Sequence, residues 1–446
     1  MAKFEYLTKP VKTDGMPNSI PFIVVNEAAE RFCYYGINGI LVIFMTKYLR
    51  DSSGQLAVMQ KENAEMWYHL FVSCVYFLPL LGAFLADAVL GKYRTILFLS
   101  VVYCLGNLAL SMDVTRFGLA AGLILIALGS GGIKPCVSAN VGDQFGPTNQ
   151  HLLAKVFSWF YFAINAGSAF ATILIPEILE RKGPYWAFGL PGVFMVLATV
   201  IFWLGRKKYV HVPPTGVRTY FKELLVPEHL KALANLLILV PFAAMFWALW
   251  QQNFSSWVIQ ADKMDRFLFG REWLPAQIQT VNPIFVLIML PLFSYVIYPA
   301  AEKLVRVTPL RKFGAGLFSL VIAFLIVGWI QTRLDAGEKP HILWQILAFV
   351  VLTIGEVMMS VTHLEFSYTQ APKKMKSLVM FLYLGSVALG NVFTAGVNYF
   401  IQNPDGSLKL VGASYFFFFA WVMLGTAVLF MIVAPFYRGK TYTASE

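Results

Sequence analysis

The sequence predicts an all-α membrane protein, with twelve transmembrane helices in two six-helix bundles and both termini in the cytoplasm. Three observations carry this prediction. The chain is 58% hydrophobic and 13% charged, whereas a soluble protein carries about 25% charged residues. Its apolar residues gather in runs of roughly 20, the length that crosses a ~30 Å hydrocarbon core. One long basic linker divides those runs six and six.

In order, the spans fall at about 20–48, 66–88, 94–112, 117–140, 154–178, 185–205, 231–258, 281–300, 309–331, 342–370, 376–402 and 411–437. Residues 1–19 are polar, with no short apolar region ending in a small-residue cleavage site, so the first span is expected to stay as a membrane helix. Residues 20–205 form the first bundle and 231–437 the second, with a tail at 438–446. The linker, RKKYVHVPPTGVRTYFKELLVPEHLK, breaks at Pro213–Pro214 and holds one short amphipathic stretch. With the N-terminus inside, inner segments carry 21 Lys and Arg and outer segments 12, the bias expected of cytoplasmic termini. The same loop charges account for the net +11, so nucleic acid is not an expected partner. Cys33, Cys74, Cys104 and Cys136 lie inside apolar spans without metal-ligand spacing and read as small buried hydrophobes. No metal or other cofactor is implied. By analogy, six plus six spans joined by a cytoplasmic linker is the plan of a major facilitator transporter, which binds substrate near the membrane midplane.

Charged residues inside such spans point to function, because each costs about 2.5–3.5 kcal/mol at a helix centre. The first span contains NEAAERFCYYG, where Glu27, Glu30, Arg31, Tyr34 and Asn38 follow helical spacing and form one polar stripe, with Tyr35 at its edge. Glu27 and Arg31, four apart, can pair. A structural ion pair accounts for two of these charges; three charges with two tyrosines fit a functional cavity better. Lys134 in ALGSGGIKPCVSAN is a lone cation, needing a carboxylate or a water-filled cavity unless it snorkels to the interface. The glycines before it permit close helix packing rather than phosphate binding. Glu356 and Glu365, nine apart in the tenth span, face different sides; Glu356 is open to a purely structural role. His69 could titrate near physiological pH, but a lone buried histidine is more often a neutral hydrogen-bonding group. Together these residues suit a proton-coupled carrier, in which a substrate carboxylate takes over a cation and releases its glutamate partner for protonation.

NEAAERFCYYG resembles the ExxERFxYY motif of the proton-dependent oligopeptide transporters, a branch of the major facilitators. GGIKPCVSANVGDQF, FYFAINAGS, TVNP at 280–283 and EFSYTQAP at 365–372 resemble further motifs of that family, in order, and LGAFLADAVLGKYRT resembles a general major facilitator loop. The resemblance implies import of di- and tripeptides with protons through a multi-pass protein of the cell membrane that works as a monomer. By the same resemblance, Arg31, Lys134 and Tyr35 would hold the peptide carboxylate. Asn165, Asn282 and Glu365 would hold its amino end or peptide bonds, and Tyr76 and Trp247 would line the pocket. Glu27, Glu30 and His69 would join proton coupling.

Four departures stand out. Asn38 and Gln251, in FWALWQQ, replace the arginine and the acid that form an outer-gate ion pair in many members; the contact is expected to survive as a hydrogen bond without charge, and a proton site on the seventh span is left open. The 206–231 linker is too short for the two extra helices of many bacterial members, and QTRLDAGEKP leaves no room for the large extracellular domain of animal members. Another small zwitterion or anion, such as an amino acid, nitrate or a peptide-like drug, is the alternative substrate. An enzyme is not expected, because no nucleophile–base pair or metal cluster is visible.

Overall fold

The computed structural model describes residues 6–224, 234–369, 376–405 and 407–437; within these, the side chains of 154, 223–224, 361, 364–369 and 376–381 are not described. The helices are α1 (Ile20–Lys47), α2 (Lys61–Leu90), α3 (Lys92–Met112), α4 (Arg116–Asp143), α5 (Leu153–Lys182), α6 (Pro184–Leu204), α7 (Val217–Leu224), α8 (Val240–Trp250), α9 (Ser256–Asp262), α10 (Pro275–Glu302), α11 (Pro309–Asp335), α12 (Leu343–Thr369), α13 (Lys376–Phe400) and α14 (Ala413–Val433). Among the described residues, nine of them are long and apolar enough to cross a membrane: α2 to α6, α10, α11, α12 up to Ser360, and α14. α1 is 28 residues long, but Glu27, Glu30 and Arg31 interrupt its apolar character.

The chain divides into two compact units. The first comprises Met1–Ile40, Tyr48–Ala57 and Cys74–Val226, and the second Leu41–Lys47, Val58–Ser73 and Pro227–Glu446. The end of α1 and the first half of α2 therefore belong to the second unit.

In the first unit, three helices fix α1. The Asn26 amide donates to the Ala198 carbonyl of α6 at 3.1 Å, Cys33 Sγ donates to Asn107 Oδ1 of α3 at 3.3 Å, and α5 presses against α1 at Gly167. A Cβ at Gly167 would lie 2.8 Å from the Ala28 carbonyl oxygen. The glycines before Lys134 do serve close packing, as expected. A Cβ on Gly131 would come 2.7 Å from the Val75 carbonyl oxygen, and one on Gly82 would come 2.1 Å from that of Gly132. The two helix backbones thus touch just before Lys134. Pro135 lies inside α4 and cannot donate to the Gly131 carbonyl one turn earlier.

The linker and the N-terminal segment hold each other. Leu7 and Val210 form a parallel bridge, His211 N–H donates to the Leu7 carbonyl at 2.7 Å, and Val210 N–H donates to Gln144 Oε1 at 3.0 Å. The amphipathic stretch expected in the linker is α7.

In the second unit the expected seventh span, 231–258, is not continuous. α8 ends at Trp250, residues Gln251–Phe254 form a 3₁₀ turn, and Ser255 breaks the backbone at φ −126°, ψ −92° before α9, which runs on to Asp262. The amide side chains explain the break. Gln252 Nε2 donates to the Ala248 carbonyl at 3.2 Å and Asn253 Nδ2 to the Trp250 carbonyl at 2.6 Å, in competition with the helical ladder. Beyond α9 a short hairpin, β1 (Phe267–Leu268) and β2 (Arg271–Glu272), turns through Phe269 and Gly270, both at positive φ. This is the turn type whose twist suits two adjacent antiparallel strands. The expected burial of all four cysteines needs correction: Cys33 and Cys136 are buried, but Cys74 is exposed on α2, where the apolar character of the helix reflects its surroundings rather than a core position.

Candidate functional site

In the first unit, α1 presents its acids and arginine on adjacent turns. Arg31 Nε lies 3.1 Å from Glu27 Oε1, and Arg31 Nη2 pairs with Glu30. The second Glu30 oxygen accepts from Ser130 Oγ of α4 at 2.8 Å. All three charged residues are buried. A single arginine thus answers two carboxylates, and a hydroxyl fixes one of them.

Lys134 has no such partner. Its Nζ is buried and makes no hydrogen bond among the described residues. It lies instead 3.9 Å from the centre of the Tyr76 ring and 4.3 Å from that of Tyr34. Two aromatic faces partly compensate a desolvated ammonium but leave its three N–H donors unused. Tyr34 also lies under the Arg31 guanidinium, 5.6 Å away, and meets Tyr35 edge to face at 5.3 Å. The structure therefore brings Glu27, Glu30, Arg31, Tyr35, Tyr76 and Lys134 into one cluster, with Tyr34 as its centre. Asn165 is buried on α5, and its amide donates back to the Tyr161 carbonyl of its own helix at 2.9 Å. Asn38 is buried on α1, with its Oδ1 unpaired among the described residues.

In the second unit, Trp247 and Trp250 meet edge to face at 5.4 Å, and Tyr383 approaches Trp247 at 6.4 Å. Trp247 Nε1 is buried without a hydrogen-bond partner among the described residues, whereas Trp250 Nε1 donates to Glu356 Oε2 at 3.0 Å. Asn282 Nδ2 donates to the same Glu356 oxygen at 2.7 Å and to Thr353 Oγ1 at 3.1 Å. Sequence reasoning left Glu356 open to a purely structural role, yet it is the acid to which Asn282 is tied. The expected acid, Glu365, lies on the backbone of α12 but its side chain is outside the described residues.

His69 is buried with both ring nitrogens engaged, Nδ1 with Asn391 Oδ1 at 2.7 Å and Nε2 with Ser255 Oγ at 3.0 Å. Gln251 is buried, and its Oε1 accepts from Tyr68 at 3.5 Å. Sequence reasoning missed Glu65 altogether. It is buried on α2 one turn before His69, but lay one residue outside the expected span.

The POT family profile matches residues 93–226 and 217–414. The chain belongs to the POT family. It is 36% identical over 366 residues to "Peptide transporter family 1" of Drosophila melanogaster, covering 72% of this chain and 48% of that protein. It is also 36% identical over 396 residues to "Solute carrier family 15 member 2" of Rattus norvegicus, covering 78% and 53%. The chain thus spans about half the length of these two relatives. The crystal structure of the POT family transporter PepTSo superposes with a TM-score of 0.87 at 34% identity, covering 95% of this chain and 99% of that one. The fold is that of the POT transporters, and with several membrane-spanning helices the chain is a multi-pass membrane protein.

Proposed function

We propose that this POT family chain is a proton-coupled symporter that imports di- and tripeptides by alternating access. The observation that carries the reading is the division of labour between its two buried cations. Arg31 is neutralised by Glu27 and Glu30, while Lys134, without a hydrogen bond among the described residues, lies against two tyrosine rings. An ammonium with unused donors suits a substrate carboxylate. When that carboxylate also engages Arg31, a glutamate is released to take a proton, which ties substrate binding to proton binding. Tyr35 and Tyr76 flank this end. The name of the Drosophila melanogaster relative, "Peptide transporter family 1", supports the same substrate class.

For the amino end, Glu356 joins Asn282, Trp247 and the expected Glu365, with Asn165 as a further contact to the peptide. An acid beside aromatic faces suits an ammonium with varied neighbouring side chains. Asn38 and Gln251 are the neutral gate residues. In the same reading α1, the α8–α9 pair and α13 complete twelve spans with both termini cytoplasmic, arranged as a first bundle at 20–205, a linker at 206–230 and a second bundle at 231–437. The protein works as a monomer in the cell membrane and needs no cofactor beyond the coupling proton.

Purified protein in liposomes decides the matter. Labelled dipeptide should exchange against unlabelled dipeptide inside without a gradient, and should accumulate when the outside is made acidic. Failure of exchange removes the peptide substrate; exchange without acid-driven accumulation removes proton coupling.

A further inference from the structure

The first half of α2 carries Lys61, Glu65 and His69 at four-residue intervals, one stripe within the second unit. The stripe runs from a partly exposed end into the interior. The Lys61 side chain is 36% exposed, while those of Glu65 and His69 are fully enclosed. Neither Glu65 oxygen has a hydrogen-bond partner among the described residues. The nearest cation is Lys61 Nζ, 3.8 Å away, which also lies over the Tyr415 ring at 5.6 Å. The Tyr415 hydroxyl faces Glu65, Asn398 and Ser256, and Glu62 adds a second negative charge from the same helix.

The two titratable groups of the stripe differ in what they can still accept. His69 is satisfied as a neutral ring. Asn391 directs its amide nitrogen to the Val387 carbonyl, so its Oδ1 is left to accept from Nδ1–H, and Nε2 accepts from Ser255. A further proton on His69 would turn the Ser255 hydroxyl from donor to acceptor and place a positive charge on a ring enclosed by neutral groups. Protonation of Glu65 removes a charge instead: the carboxylate becomes a carboxyl whose O–H can donate to the Tyr415 oxygen, and the ionised form can accept from that same hydroxyl. A fully enclosed carboxylate with one distant lysine is expensive as an ion.

We propose that Glu65 is a proton-binding residue of the transport cycle, loaded from the Lys61 end of α2. Protonation there converts the pair Glu65–Lys61 from neutral to singly positive. It also gives Glu65 an O–H donor of its own near the Tyr415 hydroxyl. His69, one turn along the same helix, meets the Ser255 hydroxyl where the backbone between α8 and α9 is broken, and Tyr415 lies near Ser256, so the state of Glu65 is felt at that break. In a chain whose seventh span has Gln251 instead of an acid, Glu65 supplies a carboxylate one helical turn from His69. The inference rests on the symport reading above.

The test uses the full chain in liposomes. Glu65→Gln should cut acid-driven accumulation of labelled dipeptide by about tenfold or more and flatten its dependence on external pH. Gradient-free exchange should fall much less. Glu65→Asp should restore part of the accumulation, and Glu62→Gln should match the wild type. In infrared difference spectra, a protonated-carboxyl band that titrates in the wild type should vanish in Glu65→Gln. Wild-type accumulation and pH profile in Glu65→Gln would overturn the proposal while leaving symport intact. So would an unchanged titrating band, even if the variant were too damaged to transport. A wild type that exchanges peptide but never accumulates it would remove symport itself, and Glu65's coupling role with it.

Discussion

The Lys134 ammonium lies 3.9 Å from the centre of the Tyr76 ring, and no carboxylate pairs with it among the described residues. Arg31, close by, carries two. The two cations should therefore fail differently when removed. Arg31→Ala strands Glu27 and Glu30 as buried acids and should cost about 3–5 kcal/mol, seen as a large fall in melting temperature in detergent. Lys134→Ala strands no acid and should melt close to the wild type. Both should abolish acid-driven uptake. Equal melting losses in the two variants would mean that Lys134 has a structural partner after all.

The contact between α2 and α4 sets the lysine's position. Gly82→Ala places a Cβ 2.1 Å from the Gly132 carbonyl oxygen, a backbone atom that cannot rotate away. The helices must separate, with a cost of about 1–3 kcal/mol or more. Gly142→Ala, at a position with open space beside it, should be silent. Thermal unfolding of the pair, side by side, checks the contrast.

The α1 stripe was legible in the sequence because its charges interrupt an apolar run at helical spacing, and the Glu27–Arg31 pair needs only a four-residue separation. The distribution of partners was not legible. That Ser130 fixes Glu30, or that Asn282 and Trp250 converge on Glu356, depends on which helices pack together. The span boundaries misled in two places. The α8–α9 break was hidden because Gln251, Gln252 and Asn253 look like tolerable polar residues until their amides turn onto the backbone. Glu65 was lost because a hydropathy boundary at 66 cut off the first turn of α2, where a helix can carry charge into the interior before the apolar run begins.

Outside the spans, His211 gives a pH prediction. Burial holds its imidazole below the ordinary value of 6.5, outweighing the hydrogen bond to the Arg206 carbonyl, and the Arg94 charge acts in the same direction as burial. The ring packs on Tyr6 at 4.3 Å and Tyr93 at 4.6 Å. The folded state thus favours the neutral ring. Its contribution is complete above 6.5 and is lost as pH falls from there through the lower value in the fold. Mild acid should therefore loosen the Leu7–Val210 pairing. Hydrogen exchange at the His211 amide, which donates to Leu7, should quicken between neutral and mildly acidic pH beyond the intrinsic trend. In His211→Phe, that excess should disappear.

The Glu356 oxygen that accepts from both Trp250 and Asn282 tests how the amino end of a peptide is held. Glu356→Gln keeps the shape and an oxygen acceptor but removes the charge. If the carboxylate serves only to satisfy those two donors, the variant should lose about 1 kcal/mol of stability and bind free and N-acetylated dipeptides in the wild-type ratio. If it also receives the peptide ammonium, the loss is selective. A hydrogen bond to a charged group contributes about 1.5–3 kcal/mol, so inhibition by the free dipeptide should weaken by about 10- to 100-fold, while the acetylated form, without an ammonium, should change little. The second pattern is the expected one. Glu365→Gln, measured the same way, divides the ammonium site between the two acids. Selectivity lost in Glu356→Gln alone places it on Glu356, in Glu365→Gln alone on Glu365, and in neither removes both from the amino end.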